Sequence, residues 1–232
     1  MKNLTSALVA ELIGTFALCF IGILAIHQAA GGLVGVALAH GLILSILITV
    51  TAATSGGHLN PAVTVGLLCG GKIKAPAAIG YIVAQCVGGI LAGLAVMAIF
   101  GKGGADIIAN GTPAIAKSIP GIPLISAGAA ALAEAITTFF LVSAVWGTAV
   151  DPRAPKIGGF GIGLTVTADI LAIGPLTGAA MNPARAFGPA VAATLCGGQY
   201  AWGDMWVYWV GPIAGGIAAS LVYKALFWPK EA

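Results

Sequence analysis

The sequence predicts an all-α transmembrane fold: six spanning helices plus two re-entrant half-helices, arranged as an inverted repeat within a single domain of residues 1–232. Three observations predict it. Of the 232 residues, 59% are hydrophobic and 7% are charged, where a soluble domain carries roughly 25% charged residues; lipid is the solvent that suits such a surface. Six apolar runs are long enough to cross a bilayer, and two more are too short. The two halves of the chain also carry matching motifs at nearly one offset.

The spans follow from length. A crossing needs about 20 mostly apolar residues, and residues 4–26, 33–54, 78–100, 125–148, 157–175 and 205–228 provide them. The 35 Gly lie mostly inside these runs, where small residues let membrane helices approach closely. The first run, starting at Leu4, has no small-residue cleavage site with a polar chain behind it. It is therefore expected to stay as the first span and not to leave as a signal peptide. Residues 60–70 and 182–195 are apolar but too short to cross, and each starts with Asn-Pro-Ala. Stretches of this kind are candidates for re-entrant half-helices.

Loop charges give an orientation. Lys2, Lys72, Lys74, Arg153, Lys156, Lys224 and Lys230 fall on the side of the N-terminus, and Lys102 and Lys117 on the other. Seven against two places both termini in the cytoplasm. A net charge of +3 from scattered residues gives no reason to expect a nucleic-acid partner. The four cysteines (Cys19, Cys69, Cys86, Cys196) lie in or beside apolar segments without ligand spacing, so they read as small buried hydrophobes. No metal site, cofactor or nucleophile–base pair is expected, and hence no enzyme.

The repeat is specific. Residues 10–16 read AELIGTF and 133–139 read AEAITTF, with Glu11 and Glu134 123 apart. HLNPAVTVG starts at His58 and AMNPARAFG at Ala180, with Asn60 and Asn182 122 apart. Each half, about 4–100 and 125–228, has three spans. Three is odd, so the second half is inserted upside down. Inverted repeats with broken helices point to a site at the bilayer midplane between the halves.

Asn is a strong N-cap, and Pro fits the first helical position because its missing N–H would be unpaired there anyway. Asn60-Pro61-Ala62 and Asn182-Pro183-Ala184 thus read as sharp helix starts, and inversion points them at each other. Each start carries roughly +0.5 of an elementary charge, so the junction repels cations, hydronium included. The Asn amides are expected to donate into the lumen, and the Gly/Ala-rich segments 55–58 and 177–180 to line it with carbonyls. Arg185 follows the second triplet inside an apolar half-helix, and an intramembrane charge is a functional candidate by default.

On these residues the chain resembles the aquaporin (major intrinsic protein) family over essentially its full length. The resemblance implies a passive channel for water, with one pore per protomer, a homotetramer, and small neutral solutes and the bilayer as its other partners. It also implies a filter of four positions: His40, Ile170, Ala179 and Arg185. Typical water-selective members have Phe where His40 stands and His where Ile170 stands; this set is similar instead to the plant tonoplast intrinsic proteins. An aliphatic Ile170 opposite Ala179 makes one side wider and more apolar, so ammonia, urea or hydrogen peroxide are expected to pass with water. For His40 the alternative is a helix histidine bonded to backbone. Glycerol-conducting members carry Asp where this chain has Ala186, and tend to lose an aromatic pair kept here as Tyr208-Trp209. The family's usual mercury-sensitive position, Ala179, holds no cysteine.

By the same resemblance, Leu18, Leu44, Val63, Leu141, Val166 and Met181 match apolar lumen positions, and His58 a histidine at the inner mouth. Glu11 and Glu134 match carboxylates that support the loops before the triplets; a proton or ion relay is their alternative. Asp169 stands beside Ile170, and both binding of loop backbone and pH sensing remain open for it. The competing functions are a glycerol or small-solute facilitator, a coupled secondary transporter, and a structural junction protein. The membrane expected from the compact chain is a prokaryotic cell membrane; the filter suggests a vacuolar one as the alternative.

Overall fold

The computed structural model describes residues 3–29, 31–118, 123–155 and 157–229. Of the basic residues in the orientation count, Lys2, Lys156 and Lys230 lie outside them. The spanning helices are α1 (Leu4–Gln28), α2 (Gly32–Thr51), α4 (Ala75–Phe100), α6 (Ala127–Val145), α7 (Phe160–Thr177) and α9 (Val207–Val222). The half-helices are α3 (Pro61–Cys69) and α8 (Pro183–Leu195). A short helix, α5 (Gly104–Asn110), belongs to the α4–α6 connection. Helices α6 and α9 run on as π-helical turns, Trp146–Val150 and Tyr223–Phe227.

The six expected spans are all helical, with shifts at their ends. The second stops at Thr51, short of residue 54, because Gly56 and Gly57 take positive φ of 100° and 64° that no helix continues through. The span expected from 78 starts at Ala75, with Pro76 in its first turn, a position where a missing N–H costs nothing. Helix α5 has seven residues, too few to carry a periodic signal.

The halves interlock. Within them, α1 packs on α4 and α6 on α9; between them, α2 packs on α7. Each half-helix lies against a spanning helix of the other half, α3 on α9 and α8 on α4. Glycine permits both crossings: a Cβ on Gly66 would come within 2.7 Å of Gly216 O, and one on Gly188 within 2.5 Å of Gly89 Cα. Backbones this close gain packing that hydrocarbon tails cannot supply. The outer shell is apolar, with Val50, Ile79, Leu132 and Leu226 all more than 60% exposed, as a lipid-facing surface requires.

At the face where α1 starts and α9 ends, aromatic packing ties the connections down. Trp146 stacks on Tyr223 with centroids 5.5 Å apart, and its Nε1 donates to Ser220 Oγ at 2.9 Å. Lys72 Nζ lies 3.7 Å from the centroid of the Trp228 ring, a cation–π contact. Asp151 accepts from Arg153 Nε at 2.9 Å and from Tyr223 Oη at 3.0 Å, and Arg153 Nη2 donates to Phe227 O. The α6–α7 connection is thereby latched to the end of α9.

A candidate permeation site at the crossing of the half-helices

The two triplets are built as their sequence dictates. Asn60 precedes α3 in extended backbone, φ −160°, and its Oδ1 accepts from Ala62 N at 2.8 Å. Asn182 precedes α8 at φ −150°, and its Oδ1 accepts from Ala184 N at 3.0 Å and Arg185 N at 3.2 Å. The Nδ2 groups do something the sequence does not announce. Asn60 Nδ2 donates to Met181 O at 2.8 Å, and Asn182 Nδ2 to Leu59 O at 2.9 Å. Each amide stitches its helix start to the opposite half, which leaves one of its two N–H groups for the lumen. The expected donation into the lumen is thereby limited to one N–H from each amide.

These carbonyls are available because Leu59 and Met181 adopt left-handed backbone, φ 51° and 49°, which costs a non-glycine residue about 1–2 kcal/mol. The buried carboxylates hold them there. Glu11 Oε1 accepts from Ser55 Oγ at 2.6 Å and His58 N at 2.9 Å, and Oε2 from Leu59 N at 2.6 Å. In the second half, Glu134 Oε1 accepts from Thr177 Oγ1 at 2.7 Å and Ala180 N at 2.9 Å, and Oε2 from Met181 N at 2.6 Å. Charge-assisted bonds are about twice as strong as neutral ones. Glu11 has a further donor, Gln85 Nε2 at 2.7 Å, which also reaches Thr64 Oγ1 at 3.0 Å. Thr64 Oγ1 in turn lies 3.1 Å from His58 Nδ1.

A narrow cavity of about 30 Å³ runs past the triplets. A water needs ~10–15 Å³, so the passage admits molecules of about water's size in single file. His40, Ile170, Ala179 and Arg185 line it, as do Leu18, Leu44, His58, Val63, Leu141, Val166, Met181, Asn60 and Asn182. Pro61, Ala62, Pro183, Ala184, Glu11 and Glu134 stand behind the wall. At one end His40 meets both of its sequence-stated alternatives at once. Its Nδ1 lies 2.8 Å from Val36 O; a carbonyl only accepts, so the hydrogen-bond network assigns the proton to Nδ1. The neutral ring then turns the lone pair of Nε2 to Arg185 Nη2, 3.4 Å away. Arg185 Nη2 also donates to Gly111 O at 2.8 Å, while its buried Nε and Nη1 have no protein partner among the described residues.

The sequence reading omits several members of this site. Ile48, Val145 and Ile162 line the cavity too, and all lie on helical rows of four already begun by 44, 141 and 166. Extending those rows would have found them. The lining itself repeats at the offset of 122: His40 with Ile162, Leu44 with Val166, Ile48 with Ile170, Gly57 with Ala179. The positions of His40, Ile170 and Ala179 are thus matched in the other half by Ile162, Ile48 and Gly57, none of which carries a polar side chain. Gly22 backs the same pair: a Cβ there would stand 2.4 Å from His40 Nε2 and 3.1 Å from Arg185 Nε. Asp169 is buried, with Oδ2 unbonded among the described residues; it does not join the cavity wall.

Comparison with known proteins decides the family. Residues 1–223 match the Major intrinsic protein family. The chain belongs to the aquaporin family. Among its relatives, it is 42% identical over 240 residues to Aquaporin TIP4-4 of Zea mays, covering 95% of this chain and 86% of that one. It is 41% identical over 199 residues to Probable aquaporin TIP2-2 of Arabidopsis thaliana, covering 84% and 73%. The fold is that of the aquaglyceroporin from Plasmodium falciparum, at a TM-score of 0.84 and 24% identity over 97% of both chains. This aquaporin is thus related to the plant tonoplast subfamily, and it is a channel and not an enzyme. The expected prokaryotic cell membrane is overturned by these relatives, which are plant tonoplast aquaporins. Compactness reports how short the helix connections are; it carries no information about which membrane receives the chain.

Proposed function

We propose that this passive water channel excludes protons at the Asn60–Asn182 junction and passes small neutral solutes, ammonia foremost, through the filter of His40, Ile170, Ala179 and Arg185. The observation that carries the reading is the opposed pair of capped helix starts beside one narrow cavity. Two half-helix N-termini bring partial positive charge to one point. A water there accepts from the remaining Asn N–H groups, which turns its own hydrogens away and interrupts a proton-conducting file. Fixed charge from Arg185 adds to the barrier against cations at the filter.

Solute choice rests on the filter wall. Ile170 and Ala179 offer it no side-chain donor, so a solute meets an apolar side opposite the Arg185 guanidinium, to which His40 already gives its Nε2 lone pair. Ammonia, which donates and accepts like water, suits that arrangement. Ala186 follows Arg185 without the carboxylate of glycerol-conducting relatives, which disfavours glycerol. The remaining wall residues (Leu18, Leu44, Val63, Leu141, Val166, Met181) bind water weakly and let it move on, with His58 at the opposite mouth. A homotetramer of such pores is the assembly the family leads us to propose. The test is stopped-flow light scattering of liposomes containing the purified protein, under sucrose, urea, glycerol and ammonium gradients with a pH dye inside. Fast shrinkage without proton uptake supports the reading; transport that requires a sodium or proton gradient overturns it.

A further inference from the structure

Away from the lumen, the outer surface carries a groove of about 750 Å³ near the end of α9. Phe139, Phe140 and Ser143 of α6, Thr165 of α7, and Leu226 beyond α9 contribute to its lining. Its apolar rim is open, with Phe140 51%, Leu226 73% and Phe227 57% exposed. The hydroxyls on its wall are already satisfied within their own helices: Ser143 Oγ donates to Phe139 O at 2.7 Å and Thr165 Oγ1 to Gly161 O at 3.0 Å. Such a wall asks for hydrocarbon.

The charged member of the lining is Arg153. Its side chain is 59% exposed, whereas that of its ion-pair partner Asp151 is 3% exposed. The carboxylate is also consumed: Oδ1 accepts from Arg153 N and Nε, and Oδ2 from Arg153 Nη2 and Tyr223 Oη. Negative charge is turned inward and positive charge outward, where the α6–α7 connection leaves the membrane. Exposed Lys224 follows Tyr223 on the same π-helical turn. An apolar trough with a basic head at the membrane boundary has the polarity of a phospholipid reversed in charge; Nε and Nη2 of Arg153 are held by Asp151 and Phe227 O, which leaves the N–H groups of Nη1 for phosphate oxygens.

We propose that this groove binds an anionic phospholipid of the adjoining leaflet, an acyl chain lying along Phe139, Phe140 and Leu226 and the phosphate facing Arg153. The test is native mass spectrometry of the full chain in neutral detergent, titrated with phosphatidylglycerol and with phosphatidylcholine of the same chains. A basic residue near an anionic surface is worth about 1 kcal/mol, so the first phosphatidylglycerol should bind about fivefold tighter. Arg153→Gln should remove that preference. Asp151→Asn breaks the same latch but keeps the guanidinium, and should retain it. Ser143→Trp fills the groove and should weaken both lipids. Equal binding of the two lipids by the unmodified protein overturns the proposal. So does a preference lost in Asp151→Asn as fully as in Arg153→Gln, or unchanged binding in Ser143→Trp. A smaller assembly in Arg153→Gln or Ser143→Trp would give the groove to a second copy of this chain instead.

Discussion

His40 and Arg185 stand side by side at one end of the lumen, with Nε2 of the ring 3.4 Å from Nη2 of the guanidinium. The pair stands on a crowded footing. Val36 O fixes the ring through Nδ1, and Gly111 O fixes the guanidinium through Nη2. Gly22 of α1 leaves no space behind them.

Gly22→Ala tests that footing. The added methyl would sit 2.4 Å from His40 Nε2, well inside contact distance, so the ring or the guanidinium must move into the lumen. Water permeability per protomer should fall at least about tenfold, which corresponds to roughly 1.4 kcal/mol on the barrier. Stopped-flow rates normalised to the protein content of the vesicles measure it. Unchanged rates would mean that α1 does not support the filter.

Glu134→Gln should destabilise the fold by about 3 kcal/mol or more. The amide NH2 that replaces one carboxylate oxygen faces one of the two backbone N–H groups, that of Met181 if it stands at Oε2 or that of Ala180 if at Oε1; donor then meets donor, and buried donors left unmatched cost about 1–3 kcal/mol each. Thermal unfolding in detergent reads the change. A proton relay predicts otherwise, namely a stable variant with altered proton flux.

The Asp151 latch gives a pH prediction. The Arg153 guanidinium beside Asp151 holds its carboxyl well below the usual carboxylate range, and the backbone N–H of Arg153 and the Tyr223 hydroxyl act in the same direction. A depressed carboxylate contributes stability above its unfolded value, about 3.9, and loses it only as pH falls through the lower folded value. Thermal stability should therefore show no step from the latch between neutral pH and that range. Asp151→Asn should lower the unfolding temperature across all of it and leave water permeability intact.

Mercurials should leave water flow nearly unchanged. None of Cys19, Cys69, Cys86 or Cys196 lines the cavity, and Cys19 is fully buried. Ala179→Cys puts a thiol in the wall and should confer block that a reducing thiol reverses. Strong block of the unmodified protein would show that another cysteine reaches the water path.

Much of this fold is legible because its signals are local. Asn60-Pro61 and Asn182-Pro183 state helix starts by themselves, and twenty apolar residues state a span. The duplication then supplies geometry, since an odd number of spans forces inversion. What escapes is carried by backbone or by absence. Gly111 acts through a carbonyl, which any residue has, and Gly22 acts by lacking a side chain. The left-handed turns at Leu59 and Met181 fall on residues that normally avoid them, so propensity points the wrong way there. Asp169 is legible as an intramembrane acid, and the structure buries it without explaining it.

The filter assignment carries the central claim, and one comparison tests it most directly. The unmodified protein and the double variant His40→Phe/Ile170→His should be reconstituted side by side and followed by stopped flow with sucrose, urea and ammonium gradients. The account predicts that both pass water and that the double variant loses most of the ammonia and urea flow. Identical solute profiles in the two proteins would contradict it.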